Sequence, residues 1–368
     1  MVNEGGAGCG YAARSQSLKR NIKYWEGADK TLKILWNRLS SALLVLCAAS
    51  FITFTLARVI PNDPSLAYIG PKATAADAAK LRITLGLDQP IPVQYVKYLW
   101  QTLQGNWGYS LSTKQPVLKE IIDRLPSTIE LIFFAMSFAF IFGVAFGVYA
   151  AKYRGRLQDS VIRIMSIAGV SMPAFWLGLL LQLLFAGRLA WFPATGQFDI
   201  DLKYEHPVTK VTGFPLFDSL ITGNFTATLN GLHHMVLPAL TLSAYSFGLL
   251  SRMARANLLE VMSADYIKVA RAYGLSERLI FFKLALRNAL PPIVTVTGLS
   301  TAYLITGTFF VEQVYAWPGI GGFAVNSLLS IDYPAIMGIT LLAAVGYLLI
   351  NFIVDLIQAK LDPRVWLR

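Results

Sequence analysis

Six stretches of this chain are each apolar for about 20 residues, the length an α-helix needs to cross hydrocarbon. They run Leu39–Ile60, Ser127–Ala151, Val161–Ala186, Val236–Met253, Pro291–Val311 and Ala335–Gln358. The fourth is unusually short and polar at its end. The chain therefore reads as an all-α polytopic membrane protein with six transmembrane helices. Composition agrees: 14% of residues are charged, against about a quarter in soluble domains.

The formal charge of +11 comes from 32 basic and 21 acidic residues. Such an excess is one mark of nucleic-acid binding, but here the basic residues sit in short segments between apolar runs. That is the pattern that sets membrane topology. Lys152, Arg154, Arg156 and Arg163 follow the second run, and Lys360, Arg364 and Arg368 follow the sixth. Seven basic residues precede Leu39 and seven fall between Arg252 and Arg287. All of them lie on one side if both termini are cytoplasmic, which excludes a nucleic-acid partner and leaves membrane lipid.

Residues 1–38 form a polar, basic leader without the apolar core of a signal peptide. Its second half reads equally as an interfacial amphipathic helix or as a basic tail that fixes topology. Cys9 and Cys47 lie too far apart in character to form a disulfide framework. Residues 61–126 form a small extracytoplasmic cap after the first span. Pro61–Pro64 marks a turn, and helices are expected over Thr74–Leu85 and Val93–Leu103, stopped by Gly86 and Gly105. Residues 187–235 read as a loop with a short hairpin. The core, 127–358, contains a cytoplasmic loop at 254–290, and 359–368 is a cytoplasmic tail.

No Gly-Lys dipeptide, H-E-x-x-H or G-x-S-x-G occurs, so phosphate-loop, zincin and hydrolase signatures are absent. His233 and His234 are adjacent and diverge on a helix, which favours hydrogen bonding at the outer surface over metal ligation. Asn224-Phe225-Thr226 is a glycosylation triplet on the outer side. Gly143 and Gly147 permit close helix approach. Pro173, within Ser171–Trp176, breaks the third span and frees a backbone carbonyl, which makes Met172, Pro173 and Trp176 candidates for a substrate pathway. Asn351 joins them; it shares a face of the sixth span with Asp355. Glu130, Arg163, Arg252, Glu312 and Asp355 hug the span ends. No charge sits mid-span, which argues against an ion-coupled carrier. In the cytoplasmic loop, Asp265 to Ser276 reads as a short helix ending at Gly274 and Leu275. Tyr266, Ala270 and Gly274 share a face fit to dock into a partner's groove.

That loop resembles the coupling loop of ABC-importer permeases, with Lys268-Val269-Ala270 where the consensus has Glu-Ala-Ala. The resemblance continues through Ala57–Pro64, Leu85–Pro90, Gly105–Ser110, Leu125–Leu131 and Trp191–Gly196. It extends over His234–Leu240, Trp317–Gly321, Asp332–Pro334, Val354–Leu356 and Leu361–Arg364. Together these are similar to the first (B-type) permease of the dipeptide/oligopeptide/nickel importers. The resemblance implies a multi-pass protein of the prokaryotic plasma membrane. It also implies a second homologous permease, two ABC ATPase subunits carrying ATP and Mg, and an extracytoplasmic substrate-binding protein. On this reading the chain has no ATPase site or cofactor of its own, and Asp265, Tyr266, Ala270, Gly274, Leu275 and Ser276 contact the ATPase. The implied cargo is a di- or oligopeptide; nickel chelates, glutathione and oligosaccharides are the alternatives within the family. A secondary transporter driven by an ion gradient is the rival outside it.

Overall fold

The computed structural model describes residues 40–57 and 88–361. The leader, the Thr74–Leu85 helix, the Pro61–Pro64 turn and most of the tail lie outside the described residues. Helix α1 is Ser40–Ala57. Helix α2, Ile91–Leu103, starts behind Pro90 and stops at Gly105 (φ 82°), close to the expected bounds. Helix α3 is Val117–Lys152. Helices α4 (Leu157–Ser171) and α5 (Ala174–Leu181) are separated by Met172 and Pro173, and α5 runs into a π-turn at Gln182–Arg188. The short helices α6 (Leu202–Glu205) and α7 (Pro215–Ile221) precede α8, Phe225–Met262. Then come α9 (Asp265–Ala272), the single turn α10 (Glu277–Leu279), a π-turn at Ile280–Ala285, and α11 (Leu286–Val314). Helices α12 (Ile320–Leu329) and α13 (Tyr333–Leu361) complete the described chain. Five of these segments are long and apolar enough to span, or six with α4 and α5 taken as one bent span.

Four expectations need correction. The second span begins ten residues before Ser127 and passes through Pro126. Its first turns are held helical by packing: Val117 and Ile121 are buried against Ile320, Phe323, Ala324, Ala335 and Ile339 of α12 and α13. The third span is not one helix over Val161–Ala186; it bends by 113° at Pro173. Proline has no N–H for the ladder, and the residue before it is pushed to extended backbone. Met172 has ψ 132° accordingly. The expected hairpin in 187–235 is replaced, among the described residues, by α6 and α7.

The fourth span is not short either. Helix α8 has 38 residues, and 67% of its membrane window is buried within the chain. Hydropathy undervalued it because its polar residues face protein. Thr241 and Ser243 bond carbonyls within α8, and Asn224, in the glycosylation triplet, caps its first turn by accepting from the Ala227 N–H. Helix α8 is the central post, packed on α3, α4, α5, α7 and α11.

Lipid tails are as apolar as leucine, so helices in a bilayer associate through close packing. Glycines supply it along this post. Gly143 and Gly147 of α3 lie against Phe247, Leu250, Ser251 and Ala254, and Gly169 of α4 lies against the Ala244 carbonyl. A Cβ on Gly147 would stand 2.7 Å from the Ala254 Cβ and also meet the Ser251 carbonyl oxygen. Gly147→Ala should therefore destabilise the chain by about 1–3 kcal/mol. A Cβ on Gly307 has its nearest neighbour at 3.6 Å, and Gly307→Ala should stay within ~0.5 kcal/mol of wild type. Thermal unfolding in detergent compares the two; equal melting temperatures would mean that the seam is not tight.

Candidate functional site

Two regions carry the residues singled out above: helix α9 and the elbow between α4 and α5. Helix α9 ends in a Schellman stop. The Gly274 N–H bonds the Arg271 carbonyl at 2.9 Å and the Leu275 N–H bonds the Ala270 carbonyl at 3.2 Å. Gly274 has φ 75°, the left-handed conformation this stop requires. Ser276 then caps α10 by accepting from the Leu279 N–H. The stop is braced by Arg271, which donates to Glu277 at 2.6 and 3.3 Å. Lys268 pairs with Asp265 at 2.8 Å.

The face that α9 shows differs from the expected one. Ala270 is only 8% exposed, covered with Ile267 by Leu258 of α8, Ala151 of α3 and Ile280, Ala285 and Ala289 beside them. It anchors α9 to its own bundle and is not free for a partner. The outward stripe is Tyr266, Val269 and Tyr273, all exposed, with Leu275 beyond the stop. Tyr273 is 84% exposed. The i, i+3, i+7 spacing of this stripe was legible in the sequence; Ile267 decides which face turns in. Tyr266 is held by the Asn288 amide, which donates to its hydroxyl at 3.1 Å.

One contact above α9 could not be read from spacing. The Arg255 guanidinium on α8 grips Asp159 of α4 through two bonds of 2.7 and 2.8 Å. The Gly155 N–H donates to the same carboxylate at 2.9 Å, and Arg163 lies 3.7 Å away. Sequence alone had placed Arg255 only among the basic flanks of the loop. The two-pronged geometry, with Asp159 buried, ties the inner ends of α4 and α8 into one unit.

At the elbow, Met172, Pro173, Phe175 and Trp176 are exposed on the surface of the chain. Just beyond, the Tyr315 hydroxyl donates to the Gly178 carbonyl at 3.1 Å and lies 2.9 Å from Thr241, pinning α5 to α8 and the end of α11. Asn351 is not brought to the elbow. It is half-buried on α13, which packs on α11, α12 and α3.

The end of the bundle away from α9 is built on buried carboxylates. Glu312 at the end of α11 accepts from the Gly321 and Gly322 N–H groups at 2.6 and 3.3 Å and from the Thr128 hydroxyl at 2.7 Å. Thr128 in turn accepts the Ile320 N–H at 2.9 Å, so the whole first turn of α12 is satisfied. Glu130 serves α7 in the same way, accepting from Leu216 and Phe217 N–H at 3.0 and 3.1 Å and from Gln197 at 3.2 Å. Asp332 accepts from Ser110 and Ser112 and caps α13 through Ala335. Asp218 gathers the N–H groups of Val211, Thr212 and Gly213 and the Thr212 hydroxyl. Burial pushes the Asp218 carboxyl up, but these donors outweigh it and hold it below its ordinary value. Both histidines pair with main-chain carbonyls: His233 with that of Trp191 at 2.7 Å and the buried His234 with that of Asn230, one turn back in α8, at 3.0 Å.

Removing the Glu312 carboxylate leaves two buried N–H groups and a hydroxyl without their acceptor. A buried donor left without a partner costs about 1–3 kcal/mol, so Glu312→Ala should cost about 3 kcal/mol or more. The Glu120–Arg124 pair, at 2.8 Å and half-buried on α3, is of the i, i+4 kind worth about 0.3–0.5 kcal/mol. Melting of Glu312→Ala against Glu120→Ala in detergent measures the contrast, and similar losses would refute the capping role.

With this geometry in hand, comparison with known proteins is unambiguous. Residues 143–367 match the family "Binding-protein-dependent transport system inner membrane component", and residues 31–132 match its N-terminal companion. The chain is 41% identical over 332 residues to the probable D,D-dipeptide transport system permease protein DdpB of Escherichia coli, covering 90% of this chain and 97% of that one. It is 37% identical to the dipeptide transport system permease protein DppB of Alkalihalophilus pseudofirmus, over 89% of this chain and 97% of the relative. It is 34% identical to the glutathione transport system permease protein GsiC of Salmonella choleraesuis, over 91% and 99%. The chain belongs to this family, as an ABC-importer permease of the dipeptide/oligopeptide type, and is a multi-pass membrane protein.

Proposed function

We propose that this permease forms one half of a peptide-import pathway in the prokaryotic inner membrane, beside a second homologous permease. Two ATPase subunits beneath it supply the ATP and Mg chemistry, and a substrate-binding protein delivers cargo from outside. Both termini are cytoplasmic, and residues 61–126 form the outer cap that helps receive the binding protein. The dipeptide and glutathione systems named among the relatives support a short peptide as cargo. A glutathione-like peptide is the second reading, supported by that relative.

The observation that carries the ATPase contact is the stripe on α9. Tyr266, Val269 and Tyr273 stand exposed on a helix whose opposite face is locked into the bundle by Ile267 and Ala270. An exposed aromatic stripe on a rigid helix is the usual material of a helix-in-groove anchor. Gly274 and Leu275 terminate the helix, and no atom lies within 4 Å of a Cβ added to Gly274, so a partner can approach the stop. Asp265 and Ser276 frame the contact at either end.

The test is reconstitution with the partner subunits in proteoliposomes. Tyr273→Ala should weaken ATPase association about tenfold or more, the cost of truncating an aromatic anchor. Uptake should fall with it while the variant still inserts and folds. Wild-type uptake driven by an ion gradient without ATP would overturn the ABC reading, and normal association in both Tyr266→Ala and Tyr273→Ala would overturn the role of the stripe.

A further inference from the structure

Helix α4 buries little of itself against the rest of the bundle. Of its 15 residues only Asp159, Ile162 and Ser166 are buried, and Ile162 is the one large apolar side chain among them. Leu157, Val161, Ile164, Met165 and Ile167 are exposed. Toward the elbow, α4 meets α8 by close backbone contact. Gly169 lies on the Ala244 carbonyl, and a Cβ on Gly248 would stand 2.9 Å from Val170. Toward α9 the hold is of a different kind. There Asp159, in the first turn of α4, takes both prongs of Arg255 on α8. Among the described residues no other ion pair joins α4 to another helix.

Arg255 stands one turn before Leu258 on α8. Leu258 is fully buried in the cluster that holds Ile267 and Ala270 of α9, and no described residue of α4 belongs to that cluster. A displacement of α9 therefore reaches α3, α8 and the segment before α11 through apolar packing, but it reaches α4 through Arg255 or through the turn after α3. That turn is open: Gly155 has φ 78°, and nothing lies within 4 Å of a Cβ added there. Its N–H is fastened to the same Asp159 carboxylate at 2.9 Å. From Asp159, about 20 Å of helix lead to the elbow at Met172 and Pro173. An apolar pair of similar size at this place would give equal or better stability, but apolar contact sets no direction. The forked guanidinium on a carboxylate fixes both distance and orientation.

We infer that Asp159 and Arg255 are positioning residues of the transport cycle: they pass the displacement of α9 on to α4, which carries it as a rigid lever to the elbow. Arg163, 3.7 Å from Asp159, has no part in this, because it lies on α4 itself and cannot join that helix to α8. The inference rests on the ATPase-driven reading above and deepens it by naming the link between α9 and the bent span.

The first test measures movement and does not depend on the cargo. In the complex with the ATPase subunits, with Cys9 and Cys47 replaced by serine, spin labels are placed through Gln158→Cys on α4 and Glu260→Cys on α8, both exposed positions. With the pair intact, the label separation should be the same with and without ATP, because the two helices move together. The double variant Asp159→Leu, Arg255→Met replaces the pair by apolar side chains and keeps the fold. In that variant the separation should change when ATP binds. Should it fail to fold, Arg255→Lys takes its place, since lysine keeps the charge and loses the fork. A separation that changes with the pair intact, or that stays constant once the pair is replaced, would overturn the proposal.

The second test reads coupling. Uptake of Ala-Ala and hydrolysis of ATP are measured together in proteoliposomes. Arg255→Lys should lower the number of dipeptides moved per ATP several-fold while ATPase association is unchanged, and Arg163→Gln should match the wild type. A purely structural role would lower uptake and hydrolysis together and leave their ratio unchanged, which would overturn the proposal. An equal loss in Arg163→Gln would overturn it too, because charge beside Asp159, not the link to α8, would then be what matters. Should the wild-type complex not move Ala-Ala, the peptide reading fails by itself, and the label separations decide the link. Should the ATPase subunits not bind the wild-type chain at all, the importer reading fails and the proposal with it.

Discussion

A backbone N–H at the start of a helix has no partner within that helix, and inside a membrane protein it has little water to turn to. Helices α7 and α12 are short and partly buried, and each begins with such orphans. Three neighbouring residues of α3 meet the need. Ser127 gives its carbonyl to the Trp317 indole at 3.0 Å, while Thr128 and Glu130 serve the first turns of α12 and α7. The carboxyl groups of Glu130 and Glu312 thus supply the acceptors that these helix starts lack. This end of the bundle depends on that patch of α3, because without those acceptors neither short helix has a satisfied first turn.

The scattered motifs of the sequence converge on the same layer. Ser110, from Gly105–Ser110, donates to Asp332, from Asp332–Pro334, at 2.5 Å. A Cβ on Gly338 would stand 3.3 Å from the Trp107 ring. Gly196, from Trp191–Gly196, donates to the Tyr315 carbonyl at 2.8 Å. Residues more than a hundred positions apart therefore pair, and each short motif makes physical sense only beside its distant partner.

Much of the fold was legible because spanning helices announce themselves by length and apolarity, and because Pro173 and Gly274 act locally. Proline removes a donor and glycine permits a positive φ wherever they occur. What the sequence hid was set by tertiary contact. The turns before Pro126 are helical because Val117 and Ile121 have a core to enter. Helix α8 looked short because polarity along it was taken as a span end, whereas its polar groups are satisfied inside the bundle. Ala270 looked like part of a docking face because smallness suits close approach to any partner, and Ile267 beside it shows that the partner is the chain's own bundle. The Asp159–Arg255 grip spans α4 and α8 and has no local signature at all.

These contacts decide how a load on α9 is distributed. Ile267 and Ala270 are embedded among residues of α3, α8 and the segment leading into α11, so α9 cannot move without displacing the inner ends of those helices. Arg255 binds α4 to the same group through Asp159. Close packing makes such a cluster stiff, and the inner half of the bundle responds as one body. The half away from α9 is stiff for a different reason, the carboxyl-capped layer that joins α3, α7, α11 and α12. Between the two, α4 and α5 are joined through Met172 and Pro173, where the hydrogen-bond ladder is interrupted. Helix α8 crosses the same level with Ala244 against Gly169 and no side chain between them. The bundle therefore has two stiff ends and a weaker joint at the elbow, and bending there breaks fewer backbone hydrogen bonds than bending elsewhere along that span.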